Sequence, residues 1–205
     1  MITPSKPVIG VLALQGDFEA HQKMLSEKLG VSAPEVRTSA DLQYVDALIL
    51  PGGESTTIAK LLERSGLDES IRMRAQEGMP IYGTCAGMIL LAKNIDGRPD
   101  QPTLGLMDIT VARNAFGRQI DSFESDIPLQ WGCNEQDQTV RGVFIRAPYV
   151  VSVSTEVKIL GRYQDKIVAV KQGALLATAF HPELTDDTRI HRLFLSTVIV
   201  KNLQI

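Results

Sequence analysis

Cys85 stands in the string Gly83-Thr84-Cys85-Ala86-Gly87, with glycine two residues away on each side. An apolar lead, Met79-Pro80-Ile81-Tyr82, precedes it, and a helix-forming run, Met88-Ile89-Leu90-Leu91-Ala92, follows. This is the cysteine form of the G-x-S-x-G turn, which carries a nucleophile between a strand and a helix. Glycines suit that turn because the backbone is strained and side chains at the flanking positions would collide with strand and helix. The start of the following helix favours negative charge, hence a thiolate. A small buried cysteine in a Gly-rich turn has the same local pattern, so other residues must decide between the two.

A thiol nucleophile needs a base, and the base needs an orienting group. His181-Pro182-Glu183 follows a strongly apolar strand. In an extended segment residues i and i+2 point the same way, so Glu183 can hold the imidazole while His181 takes the Cys85 proton. Gly52-Gly53-Glu54-Ser55-Thr56-Thr57 follows the apolar run Ala47-Leu48-Ile49-Leu50. Adjacent glycines leave backbone N–H groups uncovered, which suits an oxyanion hole shared by Gly53 and the N–H of Ala86. A phosphate loop competes for that turn, but the G-x-x-x-x-G-K-[ST] pattern is missing. A plain tight turn is the simplest alternative. Arg113, in Arg113-Asn114-Ala115-Phe116-Gly117-Arg118, and Arg146, in Ile145-Arg146-Ala147-Pro148, could each grip a carboxylate in a two-pronged way. Solvated arginines at a sheet edge present the same pattern. His21 and His191 read as surface or boundary residues of their helices, and Cys133 as structural.

The elements that must position these residues alternate. Val8 to Leu14 reads as a strand buried on both faces. Its apolar run is too short, and its flank wrong, for a signal peptide. Asp17 can cap a helix running to about Leu29, with Phe18, His21, Leu25 and Leu29 on one face and Gly30 at its end. A short strand is expected at Glu35 to Arg37 and a firmer one at Ala47 to Leu50. Ser55 can cap the next helix, which ends at Gly66, and Asp68 to Glu77 reads as another. The first half is thus β-α-β-β-α-β-α, which implies a mostly parallel sheet covered by helices on both faces, a three-layer α/β arrangement. In such sheets sites form beyond the C-terminal strand ends, where Gly52-Gly53, Cys85 and His181 all fall.

The second half changes character. Short runs at Ile109–Val111, Ile127–Trp131, Val143–Ile145, Val150–Val153, Val157–Tyr163, Ile167–Val170 and Leu175–Phe180 are separated by turn residues. They are expected to add antiparallel strands to the same sheet, so residues 1–205 read as one domain. A final helix is expected from Thr185-Asp186-Asp187 onward, with Ile190, Leu193, Phe194, Thr197 and Val198 inward.

Composition narrows the class. Apolar content of 44% and charged content of 22% belong to an ordinary soluble globular protein. A net charge of −3, with the basic residues scattered, argues against a nucleic-acid surface. No run is long enough to span a bilayer. Two cysteines do not make a disulfide framework, so a reduced, cytoplasmic protein is expected. With neither C-x-x-C nor H-E-x-x-H, no metal site is expected.

Taken together, the Gly-Gly turn, the elbow and the late His-Pro-Glu resemble the class I (triad) glutamine amidotransferases. The strings Gly10–Asp17, Leu50–Thr57, Gly83–Met88, Arg113–Glu124, Val143–Pro148 and Phe180–Thr185 look like the glutaminase-subunit family of pyridoxal 5′-phosphate synthase. The resemblance runs nearly end to end. It implies the flavodoxin-like fold of those glutaminases and no cofactor in this subunit. It implies that Cys85 attacks the glutamine side-chain amide to give a glutamyl thioester, with His181 and Glu183 completing the triad. Gly53 and Ala86 would hold the oxyanion, and Gly52, Gly53, Glu54, Arg113, Ile145 and Arg146 would hold glutamine. Ammonia would pass to a separate synthase subunit, whose docking orders the oxyanion hole. Ala115 stands where serine is common in that family. Two further readings remain open: a triad glutaminase serving another partner, such as a histidine-pathway cyclase, and a non-catalytic flavodoxin-like binding module. The complete Cys, His and Glu set argues against the second.

Overall fold

The apolar runs of the first half become strands whose side chains are all buried, as parallel strands covered on both faces require. The computed structural model describes residues 6–113, 122–131 and 138–202. Strands β1 (Ile9–Leu12), β3 (Ala47–Leu50) and β4 (Ile81–Thr84) are buried at all four positions. With β2 (Glu35–Val36) they pair in parallel in the order β2-β1-β3-β4. The next strand across is the last of the chain, β12 (Leu175–Thr178), which runs parallel to β4.

The helices of this half follow local capping chemistry. The Asp17 carboxylate accepts from the Ala20 N–H at the start of α1 (Phe18–Lys23), and a π-helical turn at Met24–Lys28 takes up the run expected as plain helix. Gly30 follows with φ 64°. The short α2 (Ser39–Leu42), not anticipated from sequence, is closed by a reciprocal Thr38–Asp41 capping box. The cap of α3 (Ser55–Ser65) is Glu54 rather than Ser55: its carboxylate accepts from the N–H groups of Thr56 and Thr57, while Ser55 is buried. Gly66, with φ 65°, divides α3 from α4 (Leu67–Gln76). After β4 comes α5 (Ala86–Leu91), fully buried, and then directly β5 (Ala92–Ile95).

The second half builds the antiparallel part. Its strands are β6 (Met107–Ala112), β7 (Ser122–Leu129), β8 (Gln138–Ile145), β9 (Tyr149–Val153), β10 (Lys158–Tyr163) and β11 (Lys166–Gln172). Beyond β12 the sheet continues as β11-β10-β7-β8, every pair antiparallel. A side branch, β5-β6-β9, returns to β11. The fold is therefore α/β with a mixed sheet: the parallel strands of the first half, extended by β12, and antiparallel additions from the second. The run at Leu175–Phe180, expected as an antiparallel addition, instead pairs in parallel with β4.

A 3-10 turn at Pro182–Leu184 leads to the last helix, α6 (Arg189–Asn202). It begins later than expected because the Asp187 carboxylate takes the Arg189 N–H. Ile190, Phe194 and Val198 face inward, and so does His191. One contiguous hydrophobic cluster joins the two halves, running from β1 through α5 to α6. No helix among the described residues is long and apolar enough to cross a membrane.

Candidate active site

Strand register brings the cysteine and histidine segments together. Thr84 at the end of β4 lies opposite Thr178 at the end of β12, and the Cys85 N–H donates to the Thr178 carbonyl at 2.8 Å. His181 follows three residues beyond that pair. Tyr82 and Thr178 add a buried side-chain hydrogen bond of 2.9 Å between the same two strands. Cys85 has φ 48° and ψ −100° as the residue before α5, a backbone conformation rare outside glycine. The space around it demands glycine: a side chain on Gly87 would run into the Leu50 carbonyl, and one on Gly83 into the backbone of Gly87.

His181 Nδ1 bonds Glu183 Oε1 at 2.7 Å, which leaves Nε2 for Cys85. Burial opposes charge on this imidazole, but hydrogen bonds to Cys85 and Glu183 outweigh it and raise its pKa to about 10. Glu183 is buried and still held well below the usual carboxylate range. Burial alone would raise it; the charge of His21 and the bonds to His181 and His21 pull it down. The Cys85 thiol lies 3.8 Å from the Ile145 carbonyl oxygen. A Cβ on Gly52 would meet the His181 ring, so the first glycine of the Gly-Gly turn is what lets that turn lie against the imidazole.

These groups line a cleft of about 350 Å³, within the size range of small-molecule sites. Gly52, Gly53, Glu54, Cys85, Ala86 and His181 reach it, as do Arg113, Ile145 and Arg146. Glu183 lies behind His181, away from that cleft. Ala86 opens α5 beside the cysteine. Arg113 is held in place rather than free: it donates to Glu54 at 3.1 Å and Thr56 at 3.2 Å, and makes a short bond to Gln101. Glu54 is equally occupied. Burial pushes its carboxyl up, but hydrogen bonds from Thr57 and Thr56 prevail and lower it to about 2. Arg146 has φ 44°, so the segment after β8 turns sharply at the cleft mouth.

Apart from Gln15, whose string Gly10–Asp17 carries part of the family resemblance, the polar residues that follow were not identified with the site from sequence. Gln15 accepts the Glu54 N–H at 2.8 Å and ties the loop after β1 to the Gly-Gly turn. Gln101 bridges Ser55 and Arg113 from the loop before β6. His21 and His191, expected at helix surfaces, are both 0% exposed and bond each other at 3.0 Å. The reason is their place on the apolar stripes of α1 and α6, where hydrogen bonds make up for lost water. The Asn114–Arg118 stretch and Cys133 lie outside the described residues.

A family model described as the SNO glutamine amidotransferase family matches residues 11–200. The chain belongs to this family. It is 53% identical over 203 residues to the pyridoxal 5′-phosphate synthase subunit PdxT of Kineococcus radiotolerans, covering 96% of this chain and 97% of that one. Against the subunit of the same name from Carboxydothermus hydrogenoformans it is 52% identical over 190 residues, covering 93% and 97%. A crystal structure of a glutamine amidotransferase superposes with a TM-score of 0.87 at 49% identity, covering 93% of this chain and 98% of that one. A structure of PurLQS from Thermotoga maritima, at 18% identity and TM-score 0.70, shares the fold. The family thus has the fold of the class I glutamine amidotransferases that the sequence resembles.

Proposed function

We propose that residues 1–205 form one glutaminase domain, the glutaminase subunit of a pyridoxal 5′-phosphate synthase. It hydrolyses L-glutamine to L-glutamate and ammonia and passes the ammonia to a separate synthase subunit. Cys85 Sγ attacks the side-chain amide carbon, and the N–H groups of Gly53 and Ala86 hold the oxyanion of the tetrahedral intermediate. His181 gives its proton to the departing ammonia, leaving a glutamyl thioester. It then takes a proton from water, which attacks the thioester and frees glutamate and the thiol. Glu183 orients His181 throughout. Glu54 and Arg113 would receive the amino and carboxylate ends of glutamine, with Gly52, Gly53, Ile145 and Arg146 forming the rest of its seat.

The observation that most supports this reading is one imidazole with Glu183 on Nδ1, whose ring lines the same cleft of about 350 Å³ as Cys85. No cofactor is required, since the nucleophile, base and oxyanion donors are all protein groups. The reaction is placed in the cytoplasm, where a free thiol survives. The deciding experiment measures ammonia release from glutamine with and without the synthase subunit, for wild type and Cys85→Ala. Wild type should turn over in the complex and Cys85→Ala should not. Equal turnover by both would end the proposal. Turnover with a different biosynthetic partner, and none with this synthase, would reassign the ammonia acceptor.

A further inference from the structure

Behind the candidate triad lies a second pair of histidines that this mechanism does not use. The Nε2 atom of His21 sits 3.2 Å from Thr84 Oγ1 and 3.4 Å from Glu183 Oε1. Thr84 immediately precedes Cys85, and Glu183 orients His181. One nitrogen therefore touches both arms of the triad. On the other side, His21 Nδ1 meets His191 Nε2 at 3.0 Å. These rings, the Glu183 carboxylate and Thr84 are buried. Among the described residues no three of His, Cys, Asp and Glu are placed to share a metal ion.

An ionised carboxylate only accepts, so the approach of Glu183 Oε1 to 3.4 Å favours a hydrogen on His21 Nε2, and the Thr84 hydroxyl at 3.2 Å can accept that hydrogen too. Glu183 Oε1 then has His181 Nδ1 as its hydrogen-bond donor at 2.7 Å and His21 Nε2 as a longer electrostatic contact at 3.4 Å. The 3.0 Å contact between His21 Nδ1 and His191 Nε2 takes one hydrogen, and the tautomers decide which ring carries it. His191 Nδ1 and Glu183 Oε2 have no partner among the described residues. The second carboxylate oxygen therefore gives Glu183 no other anchor, and Oε1 carries the orientation of the group alone.

We propose that His21, backed by His191, is a positioning residue for the glutaminase reaction: its Nε2–H fixes the Glu183 carboxylate that orients His181. This rests on the triad reading above. A Glu183 carboxylate that loses this contact holds the His181 imidazolium less firmly, so His181 should titrate at lower pH. Other ionisable groups around this carboxylate are Cys85, Tyr82 and, through His191, Asp187. Asp17, Glu19, Lys23, Glu27, Lys28 and Asp186 line a cleft along α1 that Glu183 also lines, but the Glu183 side chain is fully buried. None of these groups is altered by changing His21.

The test has two arms. In the first, the pH profile of kcat/KM for ammonia release is measured in the assembled complex for wild type, His21→Leu and His21→Gln. The Leu variant should move the alkaline limb, where His181 loses the proton it gives to ammonia, down by about one unit, a tenfold loss at pH values above the limb. Gln, which restores an N–H donor, should bring the limb back toward wild type. An unmoved limb in the Leu variant, or an equal shift in both variants, would overturn the proposal. A merely structural role would lower the active fraction at every pH and leave the limb in place. The second arm needs no variant. Imidazole ¹⁵N shifts of the wild-type chain should show His21 Nε2 protonated, and a bare Nε2 would overturn the proposal even if the Leu variant failed to fold. A wild-type complex that released no ammonia would count against the function proposed above, while the ¹⁵N measurement would still judge His21.

Discussion

Thr178 lies directly opposite Thr84, and its carbonyl accepts the Cys85 N–H at 2.8 Å. That register, a parallel pairing of the last strand with the strand before the elbow, holds the two halves of the site in place. A slip of one residue would reverse the facing of every β12 side chain. It would also carry His181 away from the cysteine.

Replacing Cys85 with Ala should lower glutamine turnover by about a thousandfold or more, because Cys85 is the one thiol lining the cleft among the described residues. The cysteine is small and its backbone conformation is fixed by the turn, so folding should survive. Circular dichroism and a melting temperature within a few degrees of wild type would check this.

Gly52→Ala should damage activity through geometry alone. The new methyl meets the His181 ring, so the Gly-Gly turn or the imidazole must shift. A stability loss of about 1–3 kcal/mol is expected, the usual cost of overpacking. A larger fall in kcat should accompany it. Denaturant melts and steady-state kinetics on one preparation would separate the two effects, and unchanged kcat would contradict the close approach of turn and ring.

Stability should peak near pH 6.5 and fall on both sides. His181 is raised in the folded state to about 10, so its contribution is complete below 6.5 and fades as pH rises toward 10. His191 is lowered to about 3, first by burial and then by the charge of His21, so stability falls as pH drops from 6.5 toward 3. The lowered carboxyl of Glu183 adds to the acid loss below 4.5. Melting temperatures from pH 4 to 10 would show the peak, and His181→Asn should flatten the alkaline side.

Arg113→Lys should raise the KM for glutamine by about tenfold with a smaller change in kcat. Lysine keeps the charge but loses the planar fork that reaches Glu54, Thr56 and Gln101 together. Initial-rate kinetics across glutamine concentrations would check the split. A change confined to kcat would argue that Arg113 does not help to seat the substrate.

Much of this arrangement was legible in the sequence because it is local. The Gly-x-Cys-x-Gly turn, the Gly-Gly pair and His-Pro-Glu each follow a buried strand, and parallel topology sends all three to one edge. Other features depend on contacts that no single stretch displays. His21 lies on the same helical stripe as Phe18 and Leu25, and His191 three residues before Phe194. Their spacing pointed inward while their polarity suggested water. Only the fold shows that two histidines from distant helices meet each other and Glu183. The capping box at Thr38 and Asp41 was present in sequence but too short to stand out. Gln101 gave no local cue, since its value comes from bridging Ser55 and Arg113. The direct passage from α5 into β5 has no turn residue to announce it.

The Tyr82–Thr178 hydrogen bond joins residues 96 apart in the chain. Such long-range pairing closes late in folding, since the loop must be ordered before the contact can repay it. During synthesis from the N-terminus the thiol therefore emerges long before its base. Until β12 docks, Cys85 is an ordinary cysteine with no imidazole beside it. The central place given to the last strand thus acts as a safeguard in time: an unfinished chain cannot spend glutamine.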